Sequence, residues 1–304
     1  MKRTLKQYSL ITLKGMAMGA ADVVPGVSGG TIAFIAGIYQ ELVDSIKSIG
    51  PKTLKLLFTF RLAEFWKAVN CNFLFALLLG IGISIFSLAK IVTHLLENHP
   101  VLVWAFFFGL VLGSTLFVLR DVGKWNWKTI VGFVIGAASA YYITIAVPIQ
   151  TPEGLPFIFL YGAIAICAMI LPGISGSFIL LLMGKYAYIM EAVKELKISV
   201  LLTFACGALI GIVAFSRVLS FLLRKYHDLT VAVLSGFMLG SLNKVWPWKE
   251  TVETYIDSDG IAKPLIENNI APYCQLWEAA MLCVAGFAIV WFLERLSLKK
   301  ISEK

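Results

Sequence analysis

The stretch Gly15-Met-Ala-Met-Gly-Ala-Ala-Asp22-Val-Val-Pro25-Gly26-Val-Ser28-Gly29-Gly30-Thr31 lies inside an apolar run covering residues 10–40, and it breaks that run near its centre. Proline removes a backbone donor and clashes with the preceding turn, and glycine permits a sharp reversal, so one helix does not continue through residues 25–30. A second apolar run, residues 157–190, carries the same interruption as Pro172-Gly173-Ile174-Ser175-Gly176-Ser177. Each run is about 30 residues long, against the roughly 20 needed for a span. Each therefore reads as a re-entrant hairpin of two half-length helices.

Outward from these runs, six segments have the length and apolarity of full spans: 72–96, 100–119, 129–148, 199–223, 229–246 and 276–293. Of the 304 residues, 59% are hydrophobic and 14% charged, whereas soluble domains carry roughly 25% charged residues. The expected fold is an all-α polytopic membrane protein. The net charge of +8 is spread over short basic clusters between apolar runs, the pattern of juxtamembrane anchors and not of a nucleic-acid-binding face. Cys71, Cys167, Cys206, Cys274 and Cys283 form no CxxC pair and read as small core residues, so neither a disulfide framework, a metal site nor a cofactor is expected. Lys14 interrupts the first apolar run, which argues against a cleavable signal peptide.

Charge placement orients the chain. With both hairpins returning to the side they enter from, Lys2, Arg3, Lys6 and Lys14, the 47–67 segment, the 120–128 segment, Arg224 and Lys225, and the tail from Arg295 to Lys304 share one side. That side holds 18 of the 26 basic residues and is cytoplasmic by the positive-inside rule, as are both termini. The other side receives Glu97, Glu153 and an acidic 249–267 loop with Glu250, Glu253, Asp257, Asp259 and Glu267; the mildly basic 185–197 segment fits this less well. Trp104, Trp125, Trp127, Trp246, Trp248 and Trp277 lie near span ends and read as an interfacial belt.

The two interrupted runs align without a gap at an offset of 147 residues: Gly15 with Gly162, Pro25-Gly26 with Pro172-Gly173, Ser28-Gly29 with Ser175-Gly176, Gly37 with Gly184, Tyr39 with Tyr186. The following spans align at an offset of 127: Gly80 with Gly207, Lys90 with Arg217, Gly109 with Gly236, Gly113-Ser114 with Gly240-Ser241. Three full spans separate the hairpins, and an odd number reverses direction. Residues 1–148 and 149–304 are thus expected to form inverted repeats, with the broken tips meeting near the bilayer midplane as in many secondary transporters.

A helix that starts at such a tip presents amides without intrahelical acceptors and the positive end of its dipole, which suits an anion such as phosphate. Ser28, Gly29, Gly30 and Thr31 at one tip and Ser175, Gly176 and Ser177 at the other are the candidate binding residues. The competing explanation is that the glycines only allow close helix packing. Lys90 and Arg217, at equivalent places within spans, are candidate phosphate contacts, with snorkelling to the interface as the alternative. Asp22 has no acidic counterpart, since Met169 stands there in the second copy; it suits coupling to a proton or sodium gradient or a capping role. Glu41 is the second coupling candidate, although for it and Asp44 a solvated interfacial face is the favoured reading.

Gly26-Val27-Ser28-Gly29-Gly30 also fits G-x-S-x-G, the pattern of a serine hydrolase, but His94, His99 and His227 all fall at span ends and leave Ser28 without an evident base. A small-anion carrier using the same tips is a further alternative. The run Gly15 to Thr31 with Gly37-Ile38-Tyr39, echoed by Leu171-Pro-Gly-Ile-Ser-Gly-Ser-Phe178, resembles the bacterial and archaeal polyprenyl-phosphate translocase family, over nearly the whole chain. The resemblance implies a flippase of the cytoplasmic membrane, not an enzyme, that returns undecaprenyl phosphate from the outer to the inner leaflet for peptidoglycan and other envelope polymers. The polyprenyl tail stays in lipid, and only the phosphate needs shielding.

Overall fold

A computed structural model describes residues 3–24, 27–149, 151–256 and 262–302; Lys2, Pro25, Gly26, Asp257, Asp259 and Lys304, named above, lie outside them. The first apolar run becomes α1 (Leu5–Val23), a break, and α2 (Gly29–Ile35), followed by α3 (Tyr39–Lys47). α2 folds back along α1: the Gly29 amide donates to Asp22 Oδ1 at 2.6 Å, and Lys14 Nζ reaches the Ala36 carbonyl at the far end. The second run gives α9 (Leu155–Ile170), a break, α10 (Gly176–Leu182) and α11 (Tyr186–Lys194).

The limbs are unequal, not half-length each, and glycine is the reason. Gly37 and Gly184 both take φ +65°, the left-handed conformation that ends helices. Around each, two reverse bonds close the last turn: Gly37 N to Phe34 O and Ile38 N to Ala33 O, both 3.0 Å, and Gly184 N to Leu181 O and Lys185 N to Leu180 O, both 2.9 Å. The returning limb is therefore stopped after 7 residues in each copy. α11 then leaves α10 at 110°.

Between the runs stand α4 (Pro51–Phe58), α5 (Leu62–Ala68), α6 (Cys71–Asn98), α7 (Pro100–Leu119) and α8 (Trp127–Ile145). After them come α12 (Ile198–Lys225), α13 (His227–Ser241) and α14 (Leu276–Ser302). Among the described residues, four helices are long and apolar enough to cross a membrane: α7, α8, α12 and Cys71–Leu88 of α6. The expected spans 229–246 and 276–293 come out shorter. α13 has 15 residues, because the chain turns away after Ser241, and the apolar part of α14 ends at Phe292, ahead of its basic tail. The 249–267 segment is not a loop: β1 (Lys249–Ile256) pairs antiparallel with β2 (Ala262–Asn269).

In lipid no hydrophobic drive separates helix from solvent, so close van der Waals approach holds helices together. The glycines supply it. A Cβ on Gly15 would strike the Leu77 carbonyl and one on Gly80 the Thr12 carbonyl, where α1 crosses α6; Gly162 meets Phe204 and Gly207 meets Phe159 in the same way, where α9 crosses α12. α8 packs on α13 through Gly136 against Val233 and Gly236 against Phe133, and α7 on α14 through Gly109 against Cys283 and Gly286 against Phe106. Met18, Ala33, Val43, Phe73, Leu77, Val111, Leu219 and Met238 from seven helices share one core.

The two ends of the molecule differ. At one, α3 is tied to α12: Ser220 Oγ donates to Asp44 Oδ1 at 2.7 Å, Arg224 to Asp44 Oδ2 at 2.8 Å, Lys47 Nζ to Ser220 Oγ at 3.0 Å, and Arg217 to the Ile49 carbonyl at 3.0 Å. Glu191, which the 147-residue offset pairs with Asp44, bonds instead to Lys197 at 2.9 Å, within its own segment. Lys185, in the segment whose basic charge was out of place, is buried and paired with Glu153 at 3.0 Å.

Candidate functional site

The two chain breaks touch. Ser28, fully buried at the start of α2, donates from Oγ toward the carbonyls of Met169 at 3.0 Å and Leu171 at 3.1 Å. Thr31 Oγ1 accepts the Gly173 amide at 3.0 Å, and Tyr39 OH donates to the Ile170 carbonyl at 3.2 Å. A Cβ on Gly30 would strike that same Ile170 carbonyl, so only glycine lets the second break come this close. Residues 28–31 thus lie directly against 169–173.

The helix starts at the two breaks are not alike. At the first, every early amide of α2 has an acceptor: Gly29 binds the Asp22 carboxylate, Gly30 binds Ser28 Oγ at 3.0 Å, and Thr31 binds the Ser28 carbonyl at 2.9 Å. Asp22 is the resident anion of this helix start, a capping contact that a one-dimensional reading leaves as one of two options. At the second break Met169 replaces the acid, and Ser175 makes no side-chain cap to α10; its hydroxyl pairs with Ser177 Oγ at 2.7 Å. Gly176 packs on the Ala165 carbonyl, and Gly173, at φ +90°, lies close to Ser241 and Met238.

The remaining candidates are dispersed. Arg217 is exposed and holds the Ile49 carbonyl beyond α3, not a tip residue, and Lys90 is exposed on α6. Glu41 accepts both Arg3 guanidinium nitrogens at 2.7 Å and Asn70 Nδ2 at 2.9 Å. Burial pushes the Glu41 carboxyl up, but the hydrogen bonds from Arg3 and Asn70 outweigh it and hold the group below its usual range. The His94 ring pairs with Asn98 and the His227 ring with Asp228, neither with Ser28. Among the described residues, no cluster of three or more His, Cys, Asp or Glu is placed to hold a metal, and all five cysteines are free.

Lys244 and Lys249, which sequence reasoning missed, come together with Glu267 of the acidic 249–267 segment. Lys244 Nζ at 3.0 Å and Lys249 Nζ at 3.4 Å share one oxygen, Glu267 Oε2. The Lys249 ammonium also lies 3.7 Å from the centroid of the Trp104 ring and donates to the Lys244 carbonyl at 2.7 Å. Trp104 and Trp248 are buried, where a belt needs exposed rings, and the Trp246 and Trp248 indoles donate to the Ile270 carbonyl at 3.0 Å and the Cys274 carbonyl at 2.9 Å. Trp125, Trp127 and Trp277 are exposed, as a belt requires.

Comparison with known proteins bears on what such a site serves. Residues 18–263 match the family model described as VCA0040-like, undecaprenyl phosphate translocase-like. A polyprenyl-phosphate transporter of Vibrio cholerae serotype O1 is 46% identical over 306 residues, covering 98% of each chain. One from Staphylococcus aureus is 32% identical over 263 residues, 80% of this chain and 88% of that relative. No solved structure matches.

Proposed function

Since the chain belongs to the undecaprenyl phosphate translocase-like family and carries polyprenyl phosphate across a bilayer, we propose that it works inward, from the outer to the inner leaflet of the cytoplasmic membrane, with both termini cytoplasmic. In this reading, residues 1–148 and 149–304 are inverted halves that rock against each other, and the two breaks are re-entrant tips. The supporting observation is the direct contact of residues 28–31 with 169–173, in which the buried hydroxyls of Ser28 and Thr31 bond the backbone of the second break.

The chemistry follows from the difference between the tips. The start of α10 has no resident acid, so Ser175, Gly176 and Ser177 receive the phosphate first. The start of α2 is held by Asp22, whose carboxylate and a phosphate compete for the same amides. Uptake of a proton by Asp22 weakens its hold on Gly29 and lets the phosphate pass to Ser28–Thr31, which couples transfer to a proton gradient. The ties from Asp44, Lys47 and Ile49 to α12 close the cytoplasmic end in this conformation, so the described state faces outward. Arg217 and Arg224 act in that closure, and Glu41 holds the N-terminal arm through Arg3. The substrate is carried without a bond change.

Proteoliposomes with the purified protein and a leaflet-specific label on undecaprenyl phosphate test this. Movement from one leaflet to the other that requires the protein and slows with Ser28→Ala and Ser175→Ala is expected. No protein-dependent movement, or release of inorganic phosphate in its place, overturns the proposal.

A further inference from the structure

Two clefts open side by side at the end of α13 away from the α3–α12 ties. One, of 390 Å³, is polar and lined by Tyr141, Thr144, Asn243, Lys244, Lys249 and Glu267 among others. Its neighbour, of 470 Å³, is apolar and lined by Tyr142, Ile145, Val147, Ile149, Ile179 and Leu182 among others. The two share Ile145, Ala146, Val147 and Leu182, so they adjoin along these residues. The apolar arm opens sideways between α8 and α10, where Tyr142, Ile145, Val147 and Ile149 are exposed.

We propose that the two clefts together are a loading site for a prenyl phosphate, with the phosphate between Lys244 and Lys249 and the first isoprene units in the apolar arm. The proposal rests on the transport reading above and adds to it a site distinct from the tips. Lys249 and Lys244 keep only 7% and 14% of their side-chain surface exposed and share one carboxylate oxygen, which leaves the group one positive charge in excess. Burial pushes the Lys249 ammonium down to about 8, with Lys244 adding to the fall and Glu267 opposing it. A cation so short of counter-charge is stabilised by an arriving anion. Ammonium–phosphate bonds are charge-assisted, each contributing more than a neutral hydrogen bond. Phe178, in the first turn of α10, lies under Lys244 at 4.9 Å, so a headgroup leaving the lysines meets the second tip next. Free inorganic phosphate satisfies the lysines equally but has no use for the apolar arm, and it is the lateral opening that selects the lipid.

Binding of farnesyl phosphate, farnesol and inorganic phosphate to the full-length protein in nanodiscs separates these sources. Farnesyl phosphate is expected to bind well above both others. Lys244→Gln with Lys249→Gln should weaken it at least 10-fold. Leu182→Trp, which fills the shared arm, should weaken farnesyl phosphate and leave inorganic phosphate unchanged. Glu267→Gln removes the competing anion and should tighten farnesyl phosphate several-fold, an outcome that misfolding does not imitate. The inference is overturned by lysine variants that bind and flip undecaprenyl phosphate like the parent, by Glu267→Gln that does not tighten binding, or by inorganic phosphate binding as well as farnesyl phosphate. Failure of the parent protein to move undecaprenyl phosphate at all overturns the transport reading instead.

Discussion

Replacing Asp22 with asparagine separates its two roles. The side chain would keep an acceptor oxygen where Oδ1 now receives the Gly29 amide at 2.6 Å, and asparagine serves helix starts about as well as aspartate. What it loses is charge and the ability to take up a proton. A hydrogen bond to a charged group contributes about 1.5–3 kcal/mol against about 0.5–1.5 for a neutral one, so the structural loss is about 1 kcal/mol. Asp22→Ala, by contrast, strands the Gly29 amide at a cost of about 1–3 kcal/mol. In proteoliposomes under an imposed pH gradient, and separately under a sodium gradient, Asp22→Asn is expected to remain folded and move undecaprenyl phosphate at a rate that no longer responds to protons. A variant still accelerated by the proton gradient as strongly as the parent would show that Asp22 only caps, and the coupling argument would fail.

Cysteines replacing Asp44 and Ser220, whose side chains now bond at 2.7 Å, should form a disulfide that arrests transport until reduced; full transport by the oxidised protein would exclude rocking at this end. Gly207→Val should lower the thermal unfolding midpoint strongly in detergent, since overpacking costs about 1–3 kcal/mol and here the obstacle is the Phe159 backbone carbonyl. Gly37→Ala should cost about 1 kcal/mol through the left-handed φ alone, with no steric contribution because nothing lies within 4 Å of its would-be Cβ. Glu41 is held below its usual range, so the Arg3 contact stabilises the protein at neutral pH and loses that effect as pH falls through the lowered value. Melting curves of the parent and Glu41→Gln should therefore differ at pH 7 and converge only as the pH falls past the ordinary glutamate range and through the lowered value.

The breaks between α1 and α2 and between α9 and α10 were legible because proline and glycine act on the local backbone whatever surrounds them. So were four of the six expected spans, those that became α6, α7, α8 and α12. The place where each returning limb stops was present in the sequence as the matched Gly37 and Gly184, but a left-handed cap and a packing glycine look alike until the chain is folded. The 147-residue and 127-residue offsets pair positions in sequence without giving distances: Lys90 and Arg217 are equivalent in that alignment, yet Arg217 binds residue 49 and Lys90 is exposed on another helix. The contrast between the tips turns on Asp22 reaching an amide seven residues ahead, which needs the fold-back of α2. Lys244 and Lys249 were invisible because their shared partner, Glu267, arrives through strand pairing in a segment whose charge alone suggests a solvated loop.

The crossings of α8 with α13 and of α7 with α14 carry a consequence for how this chain is made. α8 leaves the ribosome nearly a hundred residues before the helix whose Val233 carbonyl its Gly136 will touch, and α7 waits longer still for Cys283. Until then the first half sits in the bilayer with two small-residue seams unfilled, open to the wrong neighbours. Neither half is a self-sufficient unit, and a nascent chain cut between them should be a substrate for membrane proteolysis and not a half-built carrier.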